Sequence, residues 1–142
     1  NDPGTQQIME ALEPLRDDPR FRLLPSLRFE YFLTLLRHAD FIIGNSSAGI
    51  REAPVYGVPT IDVGTRQQGR FSAPSILTTP FERAAIVQAV SQASAMGPQP
   101  VSHAFGRGDS CERFMRTLRS DGFWTLAKQK AFVDLPALMA VA

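Results

Sequence analysis

The spacing of hydrophobic residues along the chain alternates between two patterns. Apolar residues at every third or fourth position predict helices, and short runs of consecutive apolar residues predict buried strands. The predicted helices cover residues 5–16, 29–37, 47–56, 81–95 and 109–119. The predicted strands cover residues 21–24, 41–43, 60–63 and 76–77. Helices that alternate with apolar strands indicate an α/β fold, a doubly wound parallel sheet of the Rossmann-like kind.

Length and composition fit one globular domain over residues 1–142, with residues 120–142 as a C-terminal tail. The 142 residues are 44% hydrophobic and 20% charged, as is typical of a chain that buries a core. Because the net charge is +1, we expect neither a nucleic acid nor a membrane as partner. A single cysteine, Cys111, leaves no internal disulfide and fits a cytoplasmic location. No metal site is expected, since His103 has no Cys, His or acidic pattern beside it.

The run DFIIGNSSAGIREAPVYG, residues 40–57, carries the strongest chemical signal. A short apolar strand ends at Gly44, a turn of small polar residues follows, and a helix then opens. The first N–H groups of a helix lack partners and attract anions, and Ser46 and Ser47 add hydroxyl donors. Glu52, one turn into the helix, is placed to accept hydrogen bonds from sugar hydroxyls. The pattern predicts a site for a phosphate attached to a ribose, which means a nucleotide.

The same residues have a plainer interpretation. Asn45 and Ser46 are preferred helix caps, and Gly49 eases a tight turn. Glu52 is then an ordinary acidic residue that complements the dipole of the first helical turn. On this interpretation the segment is structural and binds nothing.

A second polar run, DVGTRQQGR at residues 62–70, favours the nucleotide site. It follows the next predicted strand, and loops after consecutive parallel strands emerge at the same edge of a sheet. Arg66 and Arg70 are therefore expected near the same phosphates, to which an arginine fork donates two hydrogen bonds at once. Solvated surface charge is the alternative for two arginines in a loop.

These motifs resemble the hydrolysing UDP-N-acetylglucosamine 2-epimerases and their relatives that act on di-N-acetylated bacillosamine. The likeness is carried by NSSxGxxEAP at residues 45–54, GxP at 57–59 and GxRQxGR at 64–70, with weaker matches at 1–4, 105–114 and 128–134. Members of that family are much longer than this chain. The resemblance therefore implies the C-terminal, UDP-binding half of a two-domain glycosyltransferase-B fold, without the N-terminal catalytic half.

The resemblance also implies the ligand and the residues that hold it. UDP, as part of the substrate, is the expected ligand, and no separate cofactor is expected. The implied UDP-binding residues are Asn45, Ser46, Ser47, Gly49, Glu52, Arg66, Arg70 and Phe29. The diphosphate would lie on the serine turn, the ribose hydroxyls on Glu52, and the uracil base beside Phe29. The alternative for Phe29 is a place in the core of an amphipathic helix.

In the family, UDP leaves by anti elimination across C1 and C2 of the sugar, and water adds back with the opposite configuration at C2. The resemblance places the acids and bases of these steps on the other half. Within this sequence only Arg66 is expected to act on the chemistry, as a stabiliser of the leaving group. The full-length protein is expected to release UDP and N-acetylmannosamine, or a related amino sugar, as in sialic-acid biosynthesis. The isolated chain is expected to bind UDP weakly and to be inactive.

Two other function classes stay open at this point. One is the nucleotide-sugar-binding half of a glycosyltransferase, which product analysis of a full-length protein would distinguish. The other is a noncatalytic nucleotide-binding or assembly module, which dimerisation without UDP binding would favour. The expected partners are a UDP-sugar, the N-terminal half of the same protein and further copies in a homo-oligomer.

Overall fold

The computed structural model describes residues 4–129, and the chain divides between Ser102 and His103 into two compact units. Every residue predicted to bind UDP belongs to the first unit. Its elements are α1 (Thr5–Leu12), α2 (Phe29–Arg37), β1 (Ile42–Gly44), α3 (Ser47–Arg51), β2 (Thr60–Val63), β3 (Ile76–Thr79) and α4 (Arg83–Met96). The second unit contains α5 (Ser110–Leu118) and α6 (Asp121–Trp124). Residues 130–142 of the predicted tail lie outside the described residues.

The three strands form one parallel sheet in the order β1-β2-β3. Ile61 of β2 lies opposite Ile43 of β1 on one side and Leu77 of β3 on the other. Because all three strands run the same way, the loops that follow them emerge at one edge of the sheet. The parallel sheet expected from the sequence is confirmed.

The central strand β2 presents one face to each of two helical layers, since successive side chains of a strand point to opposite sides. Ile61 is fully buried against Ala89 and Ala93 of α4. Thr60, its neighbour, faces the other way and donates a hydrogen bond from its hydroxyl to the Gly49 carbonyl of α3 at 2.7 Å. Helices therefore cover both faces of the sheet, as the doubly wound arrangement requires.

A second apolar cluster anchors α2 on the α3 side of the sheet. Leu36, Ala53 and Val58 are buried there, and Phe32 packs against them. Full burial of one large aliphatic side chain contributes about 1.5–3 kcal/mol, so this cluster holds α2 and the segment after α3 firmly in place.

Helix α3 approaches β2 so closely that only glycine fits at the contact. A Cβ built on Gly49 would lie 2.6 Å from Cγ2 of Thr60, well inside van der Waals contact. The absence of a side chain also brings the Gly49 carbonyl within reach of the Thr60 hydroxyl. This contact fixes how the start of α3 lies over the end of the sheet.

The prediction of a strand at residues 21–24 is wrong. In the structure the N–H of Phe21 closes a turn on the carbonyl of Asp18, and the segment pairs with none of the three strands of the sheet. Phe21 and Leu24 are 44% and 47% exposed, so the segment lacks the buried face that a strand needs. The loop at residues 24–29 therefore does not follow a strand of this sheet.

The helix predicted over residues 47–56 is two elements rather than one. Helix α3 ends at Arg51, and a 3₁₀ turn follows at Ala53–Tyr56. Pro54 cannot donate the backbone hydrogen bond that would continue α3. Gly57, at a φ of 66°, then turns the chain towards β2. A Cβ on Gly57 would also collide with the Gln99 carbonyl, so glycine is required here for space as well as conformation.

The second unit is held together by contacts between α5 and α6. The indole N–H of Trp124 donates to the Leu118 carbonyl at 2.7 Å, and the rings of Phe123 and Trp124 meet edge to face at 5.0 Å. No helix among residues 4–129 is long and apolar enough to cross a bilayer.

We expect Gly49→Ala to destabilise the chain by about 1–3 kcal/mol, because its Cβ must push α3 away from Thr60. Thr60→Ser in the same background should recover most of that loss, since serine keeps the hydroxyl bond and removes the colliding methyl group. Urea denaturation of the two single variants and the double variant measures the coupling. Additive losses would show that the two side chains do not meet.

Candidate functional site

The serine turn, residues 45–47, leads from β1 into α3 at the carboxyl edge of the sheet. Ser46 is the N-cap of α3, and its hydroxyl oxygen accepts a hydrogen bond from the Ala48 N–H at 3.2 Å. The capping interpretation of Ser46 is therefore confirmed. It does not compete with anion binding, because a hydroxyl that accepts one hydrogen bond still has its own proton to donate. Asn45, Ser46 and Ser47 are all exposed.

The serine turn is backed by protein rather than by a deep pocket. The hollow beneath it, lined by β1 residues together with Ser46, Gly49 and Thr60, has a volume of about 10 Å³. That space holds at most a single water molecule. A nucleotide at this edge would therefore lie on the outer surface of the turn.

Gly49 has a clear packing role beneath the turn. Its N–H donates to the Ser46 carbonyl at 3.2 Å, and its own carbonyl accepts from the Thr60 hydroxyl. Both polar groups of the Gly49 backbone thus have protein partners, and the residue is buried. The structure supplies a reason for glycine that needs no ligand, and contact of Gly49 with UDP stays a prediction.

Glu52 lies at the end of α3 and is half-buried. Its Oε2 atom is inaccessible to solvent and has no hydrogen-bond partner among the described residues. An unpartnered carboxylate oxygen in such a place is costly unless a donor approaches it. Because Glu52 lies at the C-terminal end of α3 and not in its first turn, the alternative that it complements the helix dipole is wrong. Its role as an acceptor for ribose hydroxyls stays a prediction.

The loop after β2 meets the serine turn through Gln67, a member of the GxRQxGR motif for which no role was predicted. Two consecutive turns shape this loop, with the Gln68 N–H on the Thr65 carbonyl and the Arg70 N–H on the Gln67 carbonyl. The side chain of Gln67 is only 2% exposed, and its Nε2 donates to the Asn45 carbonyl at 2.7 Å. The two polar runs are therefore joined directly, as their places after adjacent parallel strands predicted.

The two arginines of this loop are exposed. Arg66 precedes the buried Gln67, so its backbone is anchored while its guanidinium stays in solvent. Arg70 follows the second turn of the same loop. No salt bridge of Arg66 or Arg70 appears within the described part of the chain. That these two arginines bind the phosphates of a ligand stays a prediction.

Phe29 begins α2; the residue is 58% exposed, and its ring is stacked on Phe32 at a centroid distance of 6.3 Å. The alternative that Phe29 belongs to the core is therefore wrong. An exposed aromatic ring supported from one side can stack with a planar base on the other. Since its loop does not follow a strand of this sheet, the place of Phe29 in the site stays a prediction.

Asp62 is the one carboxylate of β2, and it is only 3% exposed. It lies opposite Gly44 of β1, so it sits below the start of the serine turn, and it faces the same side of the sheet as Thr60. Burial raises the pKa of Asp62, and its Oδ1 has no hydrogen-bond partner among the described residues. Perturbed acids of this kind concentrate at functional sites. No cluster of three metal-ligating side chains occurs within residues 4–129.

Replacement of Asp62 by asparagine should stabilise the chain at neutral pH. Because burial raises the pKa of Asp62, the folded chain keeps this proton more tightly than the unfolded chain does. As the pH rises through the ordinary carboxyl range, the unfolded chain ionises first and the folded state loses stability relative to it. Asp62→Asn removes that loss, so its advantage should vanish below about pH 3.

The measurement is a set of urea denaturation curves from acidic to neutral pH. Asp40→Asn, which makes the same change at an exposed position, is the matched control. A constant difference between Asp62→Asn and the unsubstituted chain at every pH would contradict the raised pKa.

Comparison with known proteins gives a family match. The sequence profile of the UDP-N-acetylglucosamine 2-epimerase family matches residues 1–119. A UDP-N-acetylglucosamine 2-epimerase of Neisseria meningitidis serogroup B is 48% identical over 138 residues, which are 95% of this chain and 36% of that protein. The polysialic acid biosynthesis protein P7 of Escherichia coli is 36% identical over 90 residues, 63% of this chain and 23% of that protein.

A third relative comes from Legionella pneumophila subsp. pneumophila and is described as a hydrolyzing UDP-N,N'-diacetylbacillosamine 2-epimerase. It is 28% identical over 120 residues, which are 84% of this chain and 32% of that protein. The chain thus spans about a third of the length of the Neisseria and Legionella relatives.

Proposed function

Because the chain belongs to the UDP-N-acetylglucosamine 2-epimerase family, we propose that it is the UDP-binding half of a hydrolysing member of that family. The observation that carries the proposal is the hydrogen bond from Gln67 to the Asn45 carbonyl. It joins the two loops in which the family-like motifs lie, at the carboxyl edge of a parallel sheet. Ligands of such sheets bind at this edge.

The chemistry of the edge residues suits the three parts of UDP. The hydroxyls of Ser46 and Ser47 and the guanidinium of Arg66 are donors, as a diphosphate requires. Glu52 supplies a half-buried carboxylate as the proposed acceptor for ribose hydroxyls. Phe29 offers an exposed ring for the uracil base. Asn45, Gly49 and Arg70 complete the proposed set, with Gly49 acting through the position of α3.

In the proposed reaction, the C2 proton of the sugar passes to a base, the bond from C1 to the UDP oxygen breaks, and water then adds across the new double bond. The acids and bases belong to the N-terminal half of the full-length protein. Negative charge grows on the departing UDP oxygen, and Arg66 with the serine turn would stabilise it. This chain therefore contributes binding and leaving-group stabilisation.

The names of two relatives support the hydrolysing type and the pathway. The Legionella protein is described as hydrolyzing, and the Escherichia coli protein as a polysialic acid biosynthesis protein. The proposed product is accordingly UDP with N-acetylmannosamine or a related amino sugar. A cytoplasmic location and a homo-oligomer are further parts of the proposal.

We expect this chain to bind UDP, and AMP not to displace it. Ser46→Ala removes a phosphate donor and Glu52→Gln removes the charged ribose acceptor, so each should weaken binding about tenfold. Ligand-observed NMR of the chain with UDP, with AMP as competitor, measures this.

Two variants control for general effects of substitution. Ser91→Ala and Glu10→Gln change the same residue types at exposed positions of α4 and α1, and both should bind UDP like the unsubstituted chain. The chain alone should release no UDP from UDP-N-acetylglucosamine. A folded chain that ignores UDP, or binds AMP equally well, would remove the basis of the proposal.

In the full-length protein, Arg66→Ala should lower kcat about 10²-fold, which is the usual cost of one donor to a developing negative charge. Arg66→Lys should recover only part of the rate, since an ammonium lacks the two-pronged geometry of the guanidinium. Arg83→Ala, at an exposed position of α4, is the control. An unchanged kcat with a raised KM would assign Arg66 to ground-state binding instead.

A further inference from the structure

We propose that Gln67 is a positioning residue that locks the serine turn and Arg66 into one phosphate-binding unit. The inference rests on the proposed function, since the unit is assigned to the diphosphate of UDP. Gln67 lies between these groups without belonging to the set that would touch the ligand.

The first step is the geometry of the Gln67 side chain. It is 2% exposed, and its Nε2 donates to the Asn45 carbonyl at 2.7 Å across a separation of 22 residues. The acceptor belongs to the residue just before the N-cap of α3, and the donor belongs to the residue just after Arg66. One hydrogen bond therefore spans the two loops at the point where their exposed donors begin.

The second step is that fold stability alone does not explain glutamine here. The Oε1 atom of Gln67 is buried and has no hydrogen-bond partner among the described residues. A buried unpartnered carbonyl oxygen offsets much of what the Nε2 bond contributes. A methionine of similar length would fill the same space and remove that cost, but it would leave the Asn45 carbonyl without this donor, so gain and loss largely offset each other. The amide is therefore better explained by what its donor holds in place than by stability.

The third step is the effect on the ligand groups. Ser46 and Arg66 are exposed, and they lie in loops that follow two different strands, β1 and β2. Donors on two separate loops stabilise one diphosphate only if both loops stay in register when the anion arrives. The bond from Gln67 to Asn45 supplies that register directly. Its loss should weaken contacts to phosphate and spare contacts to the nucleoside.

Gln67→Met tests this in the chain, with Gln68→Met at the exposed neighbouring position as the matched control. UDP and uridine affinities are measured by ligand-observed NMR, and the thermal midpoint by circular dichroism. We expect Gln67→Met to weaken UDP about tenfold, to change uridine less than about twofold and to keep the midpoint. Gln68→Met should change none of the three. The selective loss of UDP is the readout that a merely structural role would not produce.

A second variant keeps the test valid if Gln67→Met folds poorly. In Gln67→Glu the carboxylate cannot donate to Asn45, whereas its protonated form can. Burial should raise the pKa of the new carboxyl, so UDP affinity should recover on acidification relative to the unsubstituted chain at the same pH.

The outcomes separate the inference from the proposed function. Equal loss of UDP and uridine, or an unchanged UDP affinity in Gln67→Met with no acid recovery in Gln67→Glu, would overturn the positioning role while UDP binding by the unsubstituted chain stands. An unsubstituted chain that is folded and binds no UDP would instead overturn the proposed function.

Discussion

The close approach of α3 to β2 at Gly49 is the constraint on which the rest of the first unit depends. A Cβ on Gly49 would lie 2.6 Å from the Thr60 methyl group, so the helix can lie at this height only with glycine there. The start of α3 is the serine turn, and its height above the sheet decides where Ser46 and Ser47 present their hydroxyls. The same contact also gives the buried Gly49 carbonyl a hydrogen-bond donor, the hydroxyl of Thr60. A packing constraint in the interior thus sets the geometry of an exposed surface.

The two faces of strand β2 have different roles. One face stabilises the fold, and the other lies beneath the candidate site. Ile61 faces α4 and buries fully against small residues, which is ordinary apolar stabilisation. Thr60 and Asp62 face α3 and are almost as deeply buried, although they are polar. The buried Asp62 is a cost that the apolar face offsets. Such local exceptions to a hydrophobic interior are expected where a site is built.

The sequence alone predicted those features that repeat along the chain or follow from chemistry local to it. The parallel order of β1 to β3 followed from apolar runs alternating with helical spacing, and the meeting of the two polar loops followed from that order. The prediction of a strand at residues 21–24 was wrong because a short apolar run fits the strand pattern whether or not a neighbouring strand is available to pair with it. The break after α3 follows from Pro54, which the prediction of one helix over residues 47–56 left out of account.

Gln67 shows why the remaining part could not be read in advance. A glutamine among arginines and glycines in a polar loop is usually exposed, and only the tertiary arrangement buries it at the Asn45 carbonyl. That burial matters because the serine hydroxyls and Arg66 are proposed to stabilise negative charge by hydrogen bonding, without transferring a proton. Such donors lower a barrier only when they are held in place before the charge develops, since a mobile donor spends its interaction energy on its own reorganisation. The interior contact at Gly49 and the bridging amide of Gln67 fix the serine turn from below and from the side. The proposed distribution of roles, with proton transfer on the N-terminal half of the full-length protein and electrostatic stabilisation here, requires a rigid edge of this kind.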